Sequence, residues 1–424
     1  LNDVSATLDP FNLRINLKTI GTDLIYKNKI IGIKTIKSKI SIKSLLNKKF
    51  SFTEISISTK SLIIKDLIAF IRLLNNDPKF FIAEKIIKKG YVVADLKLGF
   101  DESGNIIKNY EFNGLVKDGK INFFKKFSLN KIDFVFQINE NILSFNDIKI
   151  SLNDNNILIP ELAASKRENE YLISGNLNTN NTRFVKNEIN NFFDKDFLKL
   201  DIQEILFNSK NNFKFKINKN FKIKNLDIKS DIVLDNLKLK NSYKLENFFP
   251  QIEKNFIFKN QKLKLEYKKD NLSIVGSGEA LFQKKIDEID YEIYKKKNEV
   301  KFRTKFKISK NPFKIDFLNF EKDKNSNLEF NFVGKKNING NLSFNEISLK
   351  EKNKIISFKK LILSKKNKIE DLGYIDINYK DNDGLKNNLK LTKKDDNYLV
   401  SGNSFNINKI IDDLLDSEKN KKLS

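Results

Sequence analysis

Two stretches of this sequence carry residue types that could do chemistry. Gly276-Ser277-Gly278 follows the apolar run Leu272–Val275, as the phosphate-cradling loop of a dinucleotide site does. The third glycine of that fingerprint would fall on Leu281, and strand rather than helix follows, so a glycine turn or bulge is the better reading. Lys380-Asp381-Asn382-Asp383-Gly384 resembles part of a calcium loop. Counting back from Gly384, the first ligand position is Tyr379, which cannot ligate calcium as a carboxylate does; a hairpin turn remains. Carboxylates are plentiful, as a two-carboxylate hydrolase needs, but no spacing marks a pair. The chain has no His and no Cys, which removes the Ser-His-Asp triad, the cysteine nucleophile, disulfides and the usual zinc sites. There is no Walker loop. The reading is a non-enzyme with no cofactor and no metal.

What remains is hydrophobic and electrostatic chemistry. The 424 residues include 37 Phe, and Lys plus Arg exceed Asp plus Glu by 25 charges. Only five of the basic residues are arginine (Arg14, Arg72, Arg167, Arg183 and Arg303), the type suited to bidentate phosphate and guanine contacts. The lysines are spread along the whole chain, and the aromatic rings alternate with them on the opposite strand face. Nucleic acid is therefore not expected as a partner. Attraction to anionic lipid fits the charge as well, and AT-rich codons account for part of the lysine excess. The candidate ligand-binding residues are Phe134, Phe136, Phe213, Phe215, Phe302, Phe306, Phe313, Phe317, Phe330 and Phe332, each on the apolar side of a strand whose other side is charged. Such faces form an ordinary sandwich core, or a groove in which acyl chains replace the second sheet. Periodicity does not separate the two.

The elements that must position these rings are strands. Period-two alternation marks residues 13–17, 92–100, 132–138, 213–217 and 301–308, where Lys301, Arg303, Lys305 and Lys307 oppose Phe302, Phe306 and Ile308. It recurs at Phe313, Ile315 and Phe317; at Leu328, Phe330 and Phe332; and at Ile375, Ile377 and Tyr379. Asp118-Gly119, Asn339-Gly340 and Asp383-Gly384 read as hairpin turns. One large, mostly antiparallel sheet system follows from this supply of short strands. Helices are expected over 62–75, from Asp77-Pro78 to Lys89 with Gly90 as its C-terminal cap, over 186–193, and over 406–417. Two loose echoes appear, FTEISIS, FNDIKIS and FNEISLK at Phe52, Phe145 and Phe344, and Leu172–Asn176 against Leu399–Asn403. They fit a sheet extended by similar strands.

No run of about 20 apolar residues could span a bilayer as a helix. The best, Leu67 to Leu74, is interrupted by Arg72. The start, LNDVSATLDPF, has neither the basic flank nor the apolar stretch of a signal peptide. Without any Met, the chain is expected to be a piece of a longer protein, with any anchor before Leu1.

Three stretches resemble the AsmA-like family of Gram-negative envelope proteins, which includes the TamB and YhdP relatives. They are Ile55 to Leu67 (ISISTKSLIIKDL), a strand leading into a helix pair; Gly90 to Leu96 (GYVVADL) with Phe112 to Lys120 (FNGLVKDGK); and Tyr398 to Ile407 (YLVSGNSFNI) before a terminal helix. The resemblance implies a mostly β protein with an elongated, incompletely closed antiparallel sheet, a β-groove. It implies a short helix pair near the N-terminus and a C-terminal helix. The expected regions are an N-terminal β region (1–60), the helix pair capping the sheet (61–90), the groove (91–404), and the C-terminal helix and tail (405–424). Phe70, Ile71 and Leu74 would fill the capped end. By the same resemblance the protein is periplasmic, held in the inner membrane by a segment missing here, with a possible outer-membrane partner. It would carry phospholipid acyl chains without enzymatic chemistry, in phospholipid transport or outer-membrane biogenesis. Lysines on the outer face and rim would meet head-group phosphates.

Overall fold

Alternating sequences become strands because the backbone pleat sends successive side chains to opposite faces, so one face can be buried and the other solvated. The computed structural model describes residues 3–26, 29–74, 83–107, 110–123, 127–167, 170–192, 200–218, 222–337, 340–366, 368–395, 397–409 and 411. Among the described residues the fold is mostly β. Twenty-four strands belong to one antiparallel sheet that is not closed into a barrel, two more form a small hairpin, and the helices are few and short. The chain divides into two compact units.

The first unit comprises residues 1–180 and 210–226. Its strands are β1 (Asp3–Asp9), β2 (Arg14–Ile20), β3 (Asp23–Tyr26), β4 (Lys29–Ser41), β5 (Phe52–Thr59), β6 (Leu62–Ile63), β7 (Ile87–Gly99), β8 (Glu111–Phe123), β9 (Phe127–Ile138), β10 (Ile142–Leu152), β11 (Asn155–Arg167) and the first part of β12 (Glu170–Val185). Pairing runs β1–β2–β4–β5–β7–β8–β9–β10–β11–β12, with β3 on β4 and β6 on β7. The register aligns Ile36, Ile57, Leu96, Phe112 and Ile138 in one cross-strand row. A parallel row holds Ala94, Gly114, Phe136, Phe145, Leu162 and Gly175. Helix α1 (Ile42–Leu46) starts where the Ser44 N–H donates to the Ser41 hydroxyl at 3.2 Å, an N-cap. Helix α2 (Ile64–Leu74) buries Ile68 and packs Ile64 and Leu67 against Ile31, Ile33, Leu62 and Val92.

The second unit comprises residues 181–209 and 227–424. It takes the end of β12, helix α3 (Lys186–Phe192), the first part of β13 (Ile202–Asn218) and most of β14 (Ile223–Lys240). Then come β15 (Asn255–Lys268), β16 (Asn271–Leu281), β17 (Asp287–Lys296), β18 (Glu299–Ile308), β19 (Lys314–Ile315), β20 (Phe320–Glu321), β21 (Leu328–Asn337), β22 (Leu342–Glu351), β23 (Lys354–Leu363), β24 (Ile369–Lys380), β25 (Lys386–Lys394) and β26 (Asn397–Ser404). From β14 onward each strand pairs with the next, except that β18 pairs with β21 across the small β19–β20 hairpin. One row crosses seven strands: Ile289, Phe306, Phe330, Leu349, Ile356, Ile377 and Leu389.

Several expected elements differ. Asp118-Gly119 is no hairpin. It lies inside β8, where Asp118 is left-handed at φ 55° and the register against β9 shifts between Val116 and Gly119, so it is a bulge. Gly90 is no helix cap either. Residues 83–86 are helical, but β7 already begins at Ile87, and Gly90 sits within it at φ 143°. A cap and a strand kink both need the conformations that glycine allows. Asp383-Gly384 does turn the chain, in the five-residue connection from β24 to β25, with Gly384 at φ 80°. The Gly276-Ser277-Gly278 run is an interior stretch of β16 facing a bulge in β15, where Asn260 is left-handed and the register shifts between Lys259 and Lys262. Residue 339, the side chains of Phe70, Ile71 and Leu74, and the terminal helix beyond 411 lie outside the described residues, as does the Asp77-Pro78 helix start.

Candidate functional site on the apolar sheet faces

The expected ring positions fall on the apolar faces of the two units. In the first unit, Phe136 on β9 is buried, with its ring over Gly114. A Cβ on Gly114 would stand 2.5 Å from the Phe136 Cζ, so the missing side chain makes room for the ring. Phe112 lies 5.0 Å from Phe136, and Phe134 meets Phe145 edge-on at 5.8 Å. Phe134 is only half-buried. Phe213 and Phe215 on β13 stack at 6.1 Å and are also half-buried. The Phe213 ring rests on Gly175, where a Cβ would come within 2.9 Å of it. Phe213 thus continues the row that runs through Phe136 and Phe145.

In the second unit the same kind of face is largely filled by the chain itself. The connection between β18 and β21 folds back, and its Phe313 and Phe320 are fully buried. Phe313 contacts Phe249 at 5.4 Å and Phe330 at 5.7 Å. Phe306 is 4 % exposed and meets Phe282 at 5.2 Å and Phe249 at 6.3 Å. Phe330 and Phe332 touch at 4.1 Å between centroids, and Phe302 meets Phe344 edge-on at 5.8 Å. These last three expected rings, Phe302, Phe330 and Phe332, stay half-buried.

Phe317 departs from the expected face. The alternation Phe313, Ile315, Phe317 reads as one strand, but the chain leaves extended geometry after Ile315. Asp316–Leu318 form a single 3₁₀ turn, ended by Asn319 in the left-handed region. The turn buries Leu318 and leaves Phe317 44 % exposed. Phe320 takes the inward place, and the period-two rule misses it because the turn resets the phase. Phe249 and Phe282 lie outside any alternating run and are equally invisible to it.

A polar latch holds the folded-back segment. Glu351 is fully buried; it accepts from the Asp323 N–H at 2.8 Å and from the Ser326 hydroxyl, and pairs with Lys354 at 3.1 Å. Lys354 also donates to Asp323 at 2.7 Å, which holds that carboxyl below its ordinary range. Burial pushes the Asp287 carboxyl up, although Asn311 donates to it at 2.7 Å. Burial likewise lowers the Lys322 ammonium. Tyr379 donates to the Leu318 carbonyl at 2.5 Å, tying the 3₁₀ turn to β24. The Tyr291 ring lies against Gly276, and burial pushes its phenol up to about 12. These groups fasten the fold rather than face open space.

On the opposite faces lysines meet carboxylates across strands: Lys117–Asp133 at 2.7 Å, Lys224–Glu170 at 3.0 Å and Lys305–Glu329 at 2.9 Å. A recess of about 710 Å³ opens on this polar side of the first unit, between Lys18, Lys37, Ser56, Asp95 and Lys97, away from the phenylalanine rows. Among the described residues no cluster of three metal-ligating side chains stands close enough to hold an ion. No helix among them is long and apolar enough to cross a membrane. The phenylalanine rows offer carbon surface and no nucleophile, so their chemistry is the exclusion of water from hydrocarbon. Comparison with known proteins finds no match among family models, curated proteins or solved structures.

Proposed function

We propose that the chain is a non-enzymatic lipid-handling protein of a cell envelope, whose apolar sheet face shields phospholipid acyl chains on their way between membranes. The observation that carries this reading is in the first unit. Phe134, Phe213 and Phe215 form part of a continuous apolar face of the first unit yet remain half-buried. Each methylene of an acyl chain moved from water onto such a face contributes about 0.8 kcal/mol. Head groups then stay in water at the rim of that face. A periplasmic setting belongs to the same proposal.

A purely structural β-domain is the second reading, and one observation favours it for the second unit. There the chain's own Phe313 and Phe320 occupy the face that lipid would need. Mass spectrometry of lipids co-purifying with the natively isolated chain decides between them. Phospholipid in stoichiometric amount supports the conduit. A lipid-free protein that takes up no fluorescent phospholipid from vesicles would sink it.

A further inference from the structure

A different part of the first unit leaves apolar side chains standing in water. Phe11, in the turn between β1 and β2, is 97 % exposed, and Leu13 beside it is 56 % exposed. On α1, Leu46 is 78 % and Leu45 54 % exposed. The Ile42 N–H donates to the Leu13 carbonyl at 2.9 Å, so the two turns stand side by side at one rim of the sheet. Phe50 continues this rim to the next connection, its N–H donating to the Glu102 carbonyl at 3.3 Å. Residues 42–50 carry Lys43, Lys48 and Lys49 and no carboxylate. The acids nearby are engaged. Asp9 accepts from Asn12 at 3.1 and 2.8 Å, Asp101 accepts from its own loop at 2.9 Å, and Glu102 pairs with Lys49. Lys43 and Lys48 stand in no ion pair within 4 Å among the described residues, although Lys43, after Lys49, helps lower the Glu102 carboxyl.

We propose that this rim is an insertion edge for an anionic lipid bilayer. Isolated Phe and Leu side chains at turn tips suit a fluid acyl layer, which needs no shaped pocket for each of them. Lys43 and Lys48 flank Leu45 and Leu46 in the chain, close enough to meet head-group phosphates, which is where basic residues gain from anionic lipid. The lysines beside these tips are what favour an anionic bilayer over a protein as the occupant. The proposal does not depend on acyl chains occupying the phenylalanine rows.

The test is flotation with vesicles of phosphatidylcholine alone and with about three parts in ten phosphatidylglycerol. The chain should float with the anionic vesicles. The double variant Phe11→Ser/Leu46→Ser should lose about tenfold or more in partitioning. Lys43→Gln/Lys48→Gln should lose several-fold on anionic vesicles and nothing on neutral ones. Both variants should keep the wild-type melt and its co-purified lipid, which separates this surface from the proposed groove. The sequence has no Trp, so Phe11→Trp is a single reporter. Its emission should shift to the blue and be quenched by brominated lipid. An unshifted emission, equal flotation of the Ser variants, or a wild-type dimer that those variants abolish would overturn the proposal.

Discussion

Replacing a ring by a carboxylate should have opposite consequences at Phe306 and at Phe213. Phe306 is 4 % exposed, enclosed by Phe249, Phe282 and Phe330. Deleting a buried phenyl ring costs about 3–5 kcal/mol. Leaving a polar group there without partners adds about 1–3 kcal/mol. The sum approaches the whole stability of a domain, about 5–15 kcal/mol, so Phe306→Asp should unfold the second unit. Phe213 is half-buried and stacked on Phe215 at 6.1 Å. Losing half of its transfer energy costs about 1 kcal/mol. Losing the ring pair costs about 0.5–1.5 kcal/mol, and the new carboxylate stays hydrated. A total near 2 kcal/mol lowers the melting temperature by about 4–8 °C in a unit of this size. Calorimetry gives the melt, and hydrogen exchange read over β17–β24 and over β9–β12 assigns it to a unit. Bound lipid, measured on the same samples, should fall in Phe213→Asp while the fold persists. A Phe306→Asp protein melting within a few degrees of wild type would refute the closed core. Global unfolding by Phe213→Asp would refute the accessible face.

Three further outcomes follow from local geometry. Gly278→Ala puts a Cβ 2.6 Å from the Gln261 Nε2 and 2.8 Å from its Cα, so the denaturant midpoint should fall by an amount worth about 1–3 kcal/mol. Tyr379→Phe removes the donor to the Leu318 carbonyl; thermal unfolding should show a loss of about 1–3 kcal/mol, and an unchanged melt would mean the 3₁₀ turn does not need this tie. Lys354 holds Asp323 below its ordinary value of 3.8, so this carboxylate contributes stability above that pH and loses it as pH falls through the lowered folded value. Urea melts should therefore show Asp323→Asn less stable than wild type at neutral pH, with the gap closing in acid; a gap independent of pH would exclude this linkage.

Where one face is buried and the other solvated in strict alternation, the sequence reads directly. Lys301 to Ile308 became β18 with the expected faces, because Phe302, Phe306 and Ile308 are buried or half-buried while Lys301 and Arg303 remain outside. Glycine-bearing pairs were ambiguous for a physical reason. A two-residue hairpin and a bulge both need a left-handed residue, so Asp118-Gly119 carries no mark of which it is. The real two-residue tips at Asn153-Asp154 and Lys269-Asp270 have φ of 47° and 63°, and 49° and 63°. They lack the glycine that marks such a turn, although Asn and Asp tolerate that region. The expected rings could be listed but not sorted. Whether Phe306 faces a core or open space depends on residues 309–327, where Phe313, Ile315 and Phe317 alternate as a strand would although the chain turns after Ile315. The bulge at Asn260 and the buried Gln261 depend in turn on Gly278 in the neighbouring strand, a relation between residues far apart in sequence.

Most strands in each unit pair with the strand that precedes or follows them in the chain, the larger detours being the α2 segment between β5 and β7 and the latch segment between β18 and β21. For a β protein this makes the contacts unusually local, and local contacts lower the loop-closure cost of each folding step. Such a topology allows each new hairpin to dock on the edge left by the last as the chain is made, without waiting for a distant partner. The same arithmetic applies to ancestry. A duplicated hairpin adds its own pairing surface and leaves the others in register, which gives such a sheet a route to grow or shrink by whole hairpins without redesign of its interior.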